Sequence, residues 1–185
     1  MRKILYVLLI TLAVSSHLNA TEYDIFVGGE TGLSWAEFDG SDGLYQNGEI
    51  TSYGVKAGVT DDNTRMYLRY NYADAFEGSF TRTGQYQTFT LNSEAFTDSV
   101  NLFSIMDLSM FVGGHLGAIN INVDANFGSS NSFSALYGVQ AGVIARFGIP
   151  ISLEAGYRIS LSNFNQEDTT LNTFQVAYAG INLRF

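Results

Sequence analysis

The sequence predicts an all-β fold, an eight-stranded antiparallel up-and-down barrel that spans an outer membrane. Three observations predict it: an export signal at the N-terminus, repeated alternation of apolar and polar residues, and an alternation of short and long connections. A strand of an outer-membrane barrel has about ten residues, with every second side chain turned to lipid. After residue 20, no apolar run approaches the roughly 20 residues that a membrane-spanning helix needs.

The N-terminus has the pattern of a secretory signal peptide. Arg2 and Lys3 precede an apolar run, and Ala20 offers a small residue for cleavage. An uncleaved anchor is the alternative interpretation. We predict that residues 1–20 are removed and that residues 21–185 form one barrel domain.

The charge balance argues against nucleic acid as a partner. Two of the nine basic residues lie in the signal peptide, so the mature chain has 7 basic residues against 18 acidic ones and a net charge of −11. Binding to phosphates requires a basic surface. The chain has no cysteine, so it has neither a disulfide framework nor a lipid-bearing cysteine.

Eight segments alternate with a period of two, which indicates β-strands. The third is the clearest, because outward residues such as Met66 and Leu68 alternate with an inward set that contains Arg65 and Arg69. Inward arginines require a wet or internally paired face. The fourth is the weakest, since Asp98 falls on its outward side. The predicted strands are residues 23–35, 50–60, 64–74, 96–106, 109–121, 134–147, 151–163 and 174–185.

The connections alternate in length, as expected for short periplasmic turns and longer extracellular loops. Within the second long connection, residues 80–91 have strand-like character. We expect them to extend the neighbouring strands above the membrane and to offer an edge for strand addition. The predicted short turns are residues 61–63, a turn at Asp107 and residues 148–150, and the predicted long loops are 37–49, 75–95, 122–133 and 164–170.

Aromatic residues fall near both ends of the predicted strands, where their amphipathic rings favour the membrane interfaces. Only Tyr157 lies nearer mid-span in the outward set. The predicted outer girdle contains Trp35, Tyr53, Tyr72, Phe96 and Tyr137, and the predicted periplasmic girdle contains Tyr23, Phe147 and Phe185.

The interior of an eight-stranded barrel is just wide enough to be filled by side chains. Enclosed charges are costly unless they are paired or wet, so we predict a polar lumen with an ion-pair network. We expect Asp24 to pair with Arg184, Glu30 to approach Lys56, and Glu154 to reach Arg146 or Arg158. A proton or ion path is the alternative interpretation. The predicted network contains Asp24, Glu30, Lys56, Arg65, Arg69, Arg146, Glu154, Arg158 and Arg184.

Signal cleavage removes His17 and leaves His115 as the only histidine of the mature chain. Nucleophilic catalysis needs a serine beside it, and no local motif supplies one. Barrels that deacylate lipid A have a His-x-Ser motif, whereas Gly117 stands at the serine position here. We therefore expect a lumenal structural role for His115. No spacing indicates a metal site, and no catalytic residue or cofactor is expected.

Taken together, the signal peptide, the eight strands, the loop order and Phe185 resemble the small OmpA/OmpX-type outer-membrane β-barrel family over residues 23–185. The resemblance implies a Gram-negative outer membrane with lipid and lipopolysaccharide around a monomeric barrel. It also implies insertion by the outer-membrane assembly machinery, which reads the C-terminal strand ending at Phe185. No peptidoglycan-binding domain is expected.

The expected role is structural, or exerted through the extracellular loops in envelope integrity, adhesion or surface interaction. Two alternatives within the membrane are a small lipid-modifying enzyme and a narrow pore. A soluble, lipocalin-like barrel is the third, but it requires a lumen more apolar than its outside, and the pattern here is the reverse.

Overall fold

The computed structural model describes residues 23–40, 48–73, 83–102, 104–125, 128–162, 165–166 and 169–185; the predicted signal peptide lies outside them. No helix among these residues is long and apolar enough to cross a membrane. The strands are β1 (Asp24–Gly40), β2 (Gly48–Thr60), β3 (Thr64–Ala73), β4 (Thr83–Phe96), β5 (Val100–Leu102), β6 (Met106–Ala125), β7 (Gly128–Phe147), β8 (Ile151–Ser162), β9 (Asn165–Gln166) and β10 (Thr169–Arg184).

Eight of these strands close into an antiparallel barrel. They pair in the order β1, β2, β3, β4, β6, β7, β8 and β10, and β10 pairs with β1 to complete the circuit. The short β5 and β9 pair with β6 and β10. The predicted fold class is confirmed.

The strands are tilted relative to the barrel axis. If one starts at Asp24 and moves from each residue to its partner on the next strand, the path around the barrel returns to β1 at Ser34. Ser34 lies ten residues beyond Asp24. A stagger of this kind is what closure of a sheet into a barrel requires.

The two faces of the wall differ sharply in polarity. Along β8, the side chains of Leu153 and Ile159 are exposed, whereas those of Glu154 and Arg158 are buried. This is the reverse of a soluble barrel and matches a wall between lipid and a filled lumen. The outward apolar belt includes Val27, Val55, Leu68, Phe89, Val112, Val139, Leu153, Ile159 and Ile181.

The fourth strand of the barrel differs from the prediction. It is β4, inside the predicted loop 75–95, whereas the predicted strand 96–106 contains most of the periplasmic connection. The outward positions of β4 include strongly apolar residues only at Phe89 and Leu91, and glutamine or serine stands at others. Residues 80–91 show strand-like character, but this apolar signal of period two is weak, and the prediction places them above the membrane. Residues 86–91 instead lie in the barrel wall, where they pair with β3 and β6.

Two predictions beside this connection are also wrong. Asp107 lies in β6, opposite Arg146, rather than in a turn. Phe96 lies at the periplasmic end rather than in the outer girdle. Its N–H donates to the carbonyl of Asn63, in the periplasmic turn between β2 and β3, at 2.7 Å. Its ring packs edge-on against Phe111, with centroids 6.3 Å apart.

Strands extend the barrel at its extracellular end, in segments predicted to be loops. β1 continues to Gly40 and β10 begins at Thr169. β6 and β7 pair as far as Ala125 and Gly128, which leaves two residues between them. The predicted loop 122–133 is thus largely a paired hairpin.

Candidate functional site

Charged side chains meet at mid-depth in the lumen. Lys56 of β2 contacts Glu154 of β8, and its Nζ lies 3.7 Å from Glu30 Oε2. Arg158 Nη2 lies 3.1 Å from Glu30 Oε1. All of these side chains are at most 3% exposed. We call Glu30, Lys56, Arg65, Arg69, Glu94, Glu154 and Arg158 the ionic layer.

Arg65 links two carboxylates of the ionic layer. Its Nε donates to Glu94 Oε2 at 2.7 Å, and its Nη1 donates to Glu154 Oε2 at 2.7 Å. The guanidinium carbon lies 5.0–5.6 Å from four ring centroids, within cation–π range. Arg65 therefore lies among four aromatic rings, which we call its cage: Phe26, Tyr67, Phe96 and Phe111.

Neutral side chains add hydrogen bonds to the ionic layer. Gln140 Nε2 donates to Glu94 Oε1 at 2.7 Å, and Gln140 Oε1 accepts from Arg69 Nη1 at 3.2 Å and from Arg158 Nε at 3.1 Å. Tyr67 Oη donates to Glu94 Oε1 at 2.8 Å. The amide of Gln140 thus joins an acid to two guanidinium groups.

Most residues of the predicted network lie in the ionic layer, but Glu154 has different partners from those expected. It contacts Lys56 and Arg65, not Arg146 or Arg158. A side chain that points inward can reach strands on the far side of a narrow lumen, which the pairing of adjacent strands does not reveal.

Three charged residues of the predicted network lie at the periplasmic mouth, below the ionic layer. Arg184 Nη1 lies 3.8 Å from Asp24 Oδ2, the pairing expected from closure between β1 and β10. Arg146 Nη1 donates to Ser109 Oγ at 3.2 Å, and its guanidinium carbon lies 4.5 Å from the centroid of Phe96.

Glu94 is the acidic member of the ionic layer that the sequence prediction missed. It is fully buried, and the misplaced fourth strand assigned it to a loop. Its Cα partner is Arg65. The local signal that could have identified Glu94 is its spacing, because it lies an even number of residues after Thr88 and Thr90 and so falls on the same face of a strand.

Apolar side chains share the lumen with buried hydroxyl groups on the extracellular side of the ionic layer. Ala73 lies four positions beyond Arg69, and Leu136 lies four positions beyond Gln140. Buried serines at the same depth bond to each other, Ser34 to Ser52 and Ser162 to Ser134. The predicted polar lumen is therefore of mixed polarity at this depth. We call its apolar side chains the apolar layer: Ile50, Ala73, Tyr86, Ile119, Ile121, Leu136, Phe174 and Val176.

A histidine and a serine meet in the lumen. His115 Nε2 lies 2.8 Å from Ser160 Oγ, although the residues stand on β6 and β8. Gly138 lies between them on β7, and a Cβ there would come within 2.8 Å of the imidazole. The serine comes from a distant strand and not from a local motif, as expected, and both residues are 0% exposed.

The predicted girdle residues lie on the outside of the wall. Tyr53 is 62% exposed and pairs with Tyr72. Tyr157, expected nearer mid-span, contacts the side-chain oxygen of Gln175 through its hydroxyl; Gln175 is the partner of Trp35, so Tyr157 belongs with the outer group. The remaining girdle positions, Tyr23, Tyr137 and Phe147, are partly buried, and Phe185 is exposed.

The extracellular extension has an open strand edge. Residues 128–135 of β7 pair with β6, whereas the pairing of β7 with β8 ends at Leu136 and Ser162, so in the described part of the chain this segment has one strand neighbour. Phe133 in this segment is 75% exposed. We call residues 128–135 the β7 edge.

Among the residues that the structure describes, no group of three or more histidine, cysteine or acidic side chains is placed to hold a metal ion. No family model and no curated protein sequence matches the chain.

Several solved structures share the fold. Neisserial surface protein A is 17% identical, with a TM-score of 0.65, and the match covers 89% of this chain and 100% of that one. Outer membrane protein H from P. aeruginosa is 22% identical, with a TM-score of 0.52, covering 88% and 99%. Ail, the attachment invasion locus protein of Yersinia pestis, is 12% identical, with a TM-score of 0.50, covering 86% and 98%.

The fold is that of the small outer-membrane barrels of the OmpA/OmpX type, as the sequence predicts. An apolar belt outside and charges inside are the arrangement of a barrel that spans a membrane.

Proposed function

We propose that this outer-membrane barrel is a surface-interaction protein that binds an extended polypeptide along the β7 edge. The observation that carries the proposal is the open edge itself, with Phe133 exposed beside it. The proposal includes export by the predicted signal peptide and insertion by the outer-membrane assembly machinery, with lipid and lipopolysaccharide around the barrel.

The filled lumen favours a function at the ends of the barrel. The side chains of the ionic layer and of the apolar layer beyond it are buried. This arrangement gives no support to the narrow pore. The burial of His115 and Ser160 likewise favours a protein that is not an enzyme over one that modifies lipids.

The composition of the β7 edge favours strand addition. Natural sheets protect their exposed edges with lysine, proline, inward charges or bulges. Residues 128–135 read Gly-Ser-Ser-Asn-Ser-Phe-Ser-Ala and contain neither charge nor proline. An incoming strand gains main-chain hydrogen bonds there, and the exposed ring of Phe133 supplies an apolar anchor.

Charge complementarity favours a basic partner. The described strand extensions at the extracellular end contain Glu37, Asp39, Glu49 and Asp124, and these extensions contain no lysine or arginine. A basic segment is therefore attracted to this end of the barrel, whereas an acidic one is repelled.

A peptide-binding experiment tests the proposal. The probe is a fluorescent peptide of alternating lysine and valine, about ten residues long to match a typical strand, added to the folded protein in nanodiscs. Phe133→Lys places a charge on the open edge. Asn120→Lys adds the same charge on β6 at the position opposite Phe133, inside the sheet.

We expect the wild-type protein and Asn120→Lys to bind the peptide, and Phe133→Lys to bind it at least about tenfold more weakly. A peptide with the same side chains but methylated backbone nitrogens controls for charge alone and is expected to bind weakly. Equal binding of both peptides, or equal affinity of all three proteins, contradicts strand addition.

A further inference from the structure

The periplasmic connection between β4 and β6 is an ordered hairpin that reaches past the neighbouring turn. Thr64, the first residue of β3, pairs with Ala95, and the chain then continues for seven residues to Leu102 before it turns back. Along this extension Val100 pairs with Leu108, and Leu102 pairs with Met106. We call residues 100–102 with 104–108 the periplasmic hairpin.

Side-chain hydrogen bonds hold the periplasmic hairpin in shape. Asn101 Nδ2 donates to Asp107 Oδ1 at 2.8 Å, and Asn101 Oδ1 accepts from the backbone N–H of Ser104 at 3.0 Å. Ser104 has a φ of 57°, in the left-handed region that tight turns use. Specific side-chain contacts therefore define the conformation of the hairpin.

The hairpin has one polar and one apolar face. Directly paired residues project to the same side of a sheet, so Val100 shares a face with Leu108, which lies on the outward side of β6. Asp107, on the opposite face, lines a cavity of about 770 Å³ at the mouth of the barrel. Val100 is 61% exposed and Ile105, at the tip, is 71% exposed.

The apolar face continues the lipid-facing belt of the barrel. On β6 the outward series runs from Val112 through Met110 and Leu108 to Met106 without a polar side chain. Met106 pairs with Phe147, one of the predicted periplasmic girdle residues. The apolar surface thus continues without a break from the belt along the hairpin to the level of the girdle.

We propose that the periplasmic hairpin is a lipid anchor, whose Val100 and Ile105 insert into the head-group region of the inner leaflet of the outer membrane. Its occupant is phospholipid, because the exposed face is continuous with the surface that lipid already covers. Apolar side chains on one face and polar ones on the other are what elements at a membrane interface require. The inference is independent of binding at the β7 edge.

Tryptophan fluorescence in vesicles tests the anchor. Trp35, the single tryptophan, is first replaced by phenylalanine. One tryptophan is then introduced by Val100→Trp, by Ile105→Trp, or by the control Asp98→Trp, whose site lines the polar mouth close to the hairpin in sequence. Each folded protein is reconstituted in phosphatidylcholine brominated near the head group, and heat-dependent gel mobility checks folding.

We expect Val100→Trp and Ile105→Trp to show blue-shifted emission, quenching by the brominated lipid and loss of quenching by aqueous acrylamide. Asp98→Trp is expected to show red-shifted emission, no quenching by the brominated lipid and strong quenching by acrylamide. If both hairpin positions are as open to acrylamide as the control position and are not quenched by the lipid, the anchor is refuted and the face is free for a periplasmic protein.

Discussion

Arg65 on β3 donates a hydrogen bond to Glu154 on β8 across the lumen, with 2.7 Å between Nη1 and Oε2. The same guanidinium binds Glu94 on the neighbouring strand. One side chain therefore ties the adjacent strands β3 and β4 to β8 on another part of the wall. Enclosed charges of this kind are tolerated only when each has its partners, so the ionic layer makes the closed barrel depend on specific contacts.

Removal of one carboxylate from the ionic layer should destabilise the barrel. Glu154→Gln leaves Lys56 and Arg65 without a shared counter-charge, and loss of a buried partner typically costs about 3–5 kcal/mol. Urea unfolding in lipid vesicles measures this free energy. Asp62→Asn in the exposed periplasmic turn is the control and should change stability by less than about 0.5 kcal/mol. Equal stability of the two variants would show that the contacts of Glu154 are unimportant.

A methyl group added to the inner wall should also destabilise the barrel. At Gly138 a Cβ would lie 2.0 Å from the carbonyl oxygen of Ile159. The backbone must shift to relieve this steric clash. Overpacking of this kind costs about 1–3 kcal/mol, so Gly138→Ala should unfold at a lower urea concentration. Gly148→Ala is the matched control, because no atom lies within 4 Å of a Cβ there. If the two variants unfold at the same urea concentration, the wall at Gly138 is not closely packed.

Loss of the histidine–serine contact should not change the membrane lipids. His115 and Ser160 are both 0% exposed, so neither can meet an acyl chain. Mass spectrometry of lipid A is expected to give the same spectrum from cells that produce the wild-type protein, His115→Ala or Ser160→Ala. A lipid species that requires both side chains would instead identify an enzyme.

The stacked layers should prevent steady ion conduction. Purified folded barrel is expected to give no sustained current steps in planar bilayers, because the apolar layer stands above the ionic layer in the same lumen. Bilayers treated with the detergent buffer alone provide the baseline. Reproducible open-channel currents from the folded protein would restore the narrow pore as its function.

The amino-acid pattern predicts the barrel well because seven strands show a readable alternation of outward apolar and inward polar or small residues. In β3 and β8 the alternation between lipid-facing and lumenal residues is strong enough to locate each strand. It fails at β4, where Phe89 and Leu91 are the main apolar residues of the outward face and the lumenal side is polar.

The lumenal contacts are harder to predict from the sequence. The approach of Glu30 to Lys56 follows from adjacent strands, since Gly54 and Lys56 lie beside Glu30 and Gly28. The contacts of Glu154 with Arg65 and of His115 with Ser160 cross the lumen or skip a strand. They depend on side-chain length and on small residues such as Gly138, which the alternation of single strands does not encode.

Amide hydrogen exchange on β7 tests the central claim most directly. In the free protein, the N–H groups of residues 128–135 that do not donate to β6 should exchange rapidly, because the described chain places no strand beside that edge. The lysine–valine peptide should protect those groups in the wild-type protein and in Asn120→Lys, but not in Phe133→Lys. Unchanged exchange along the β7 edge with peptide bound would contradict the account.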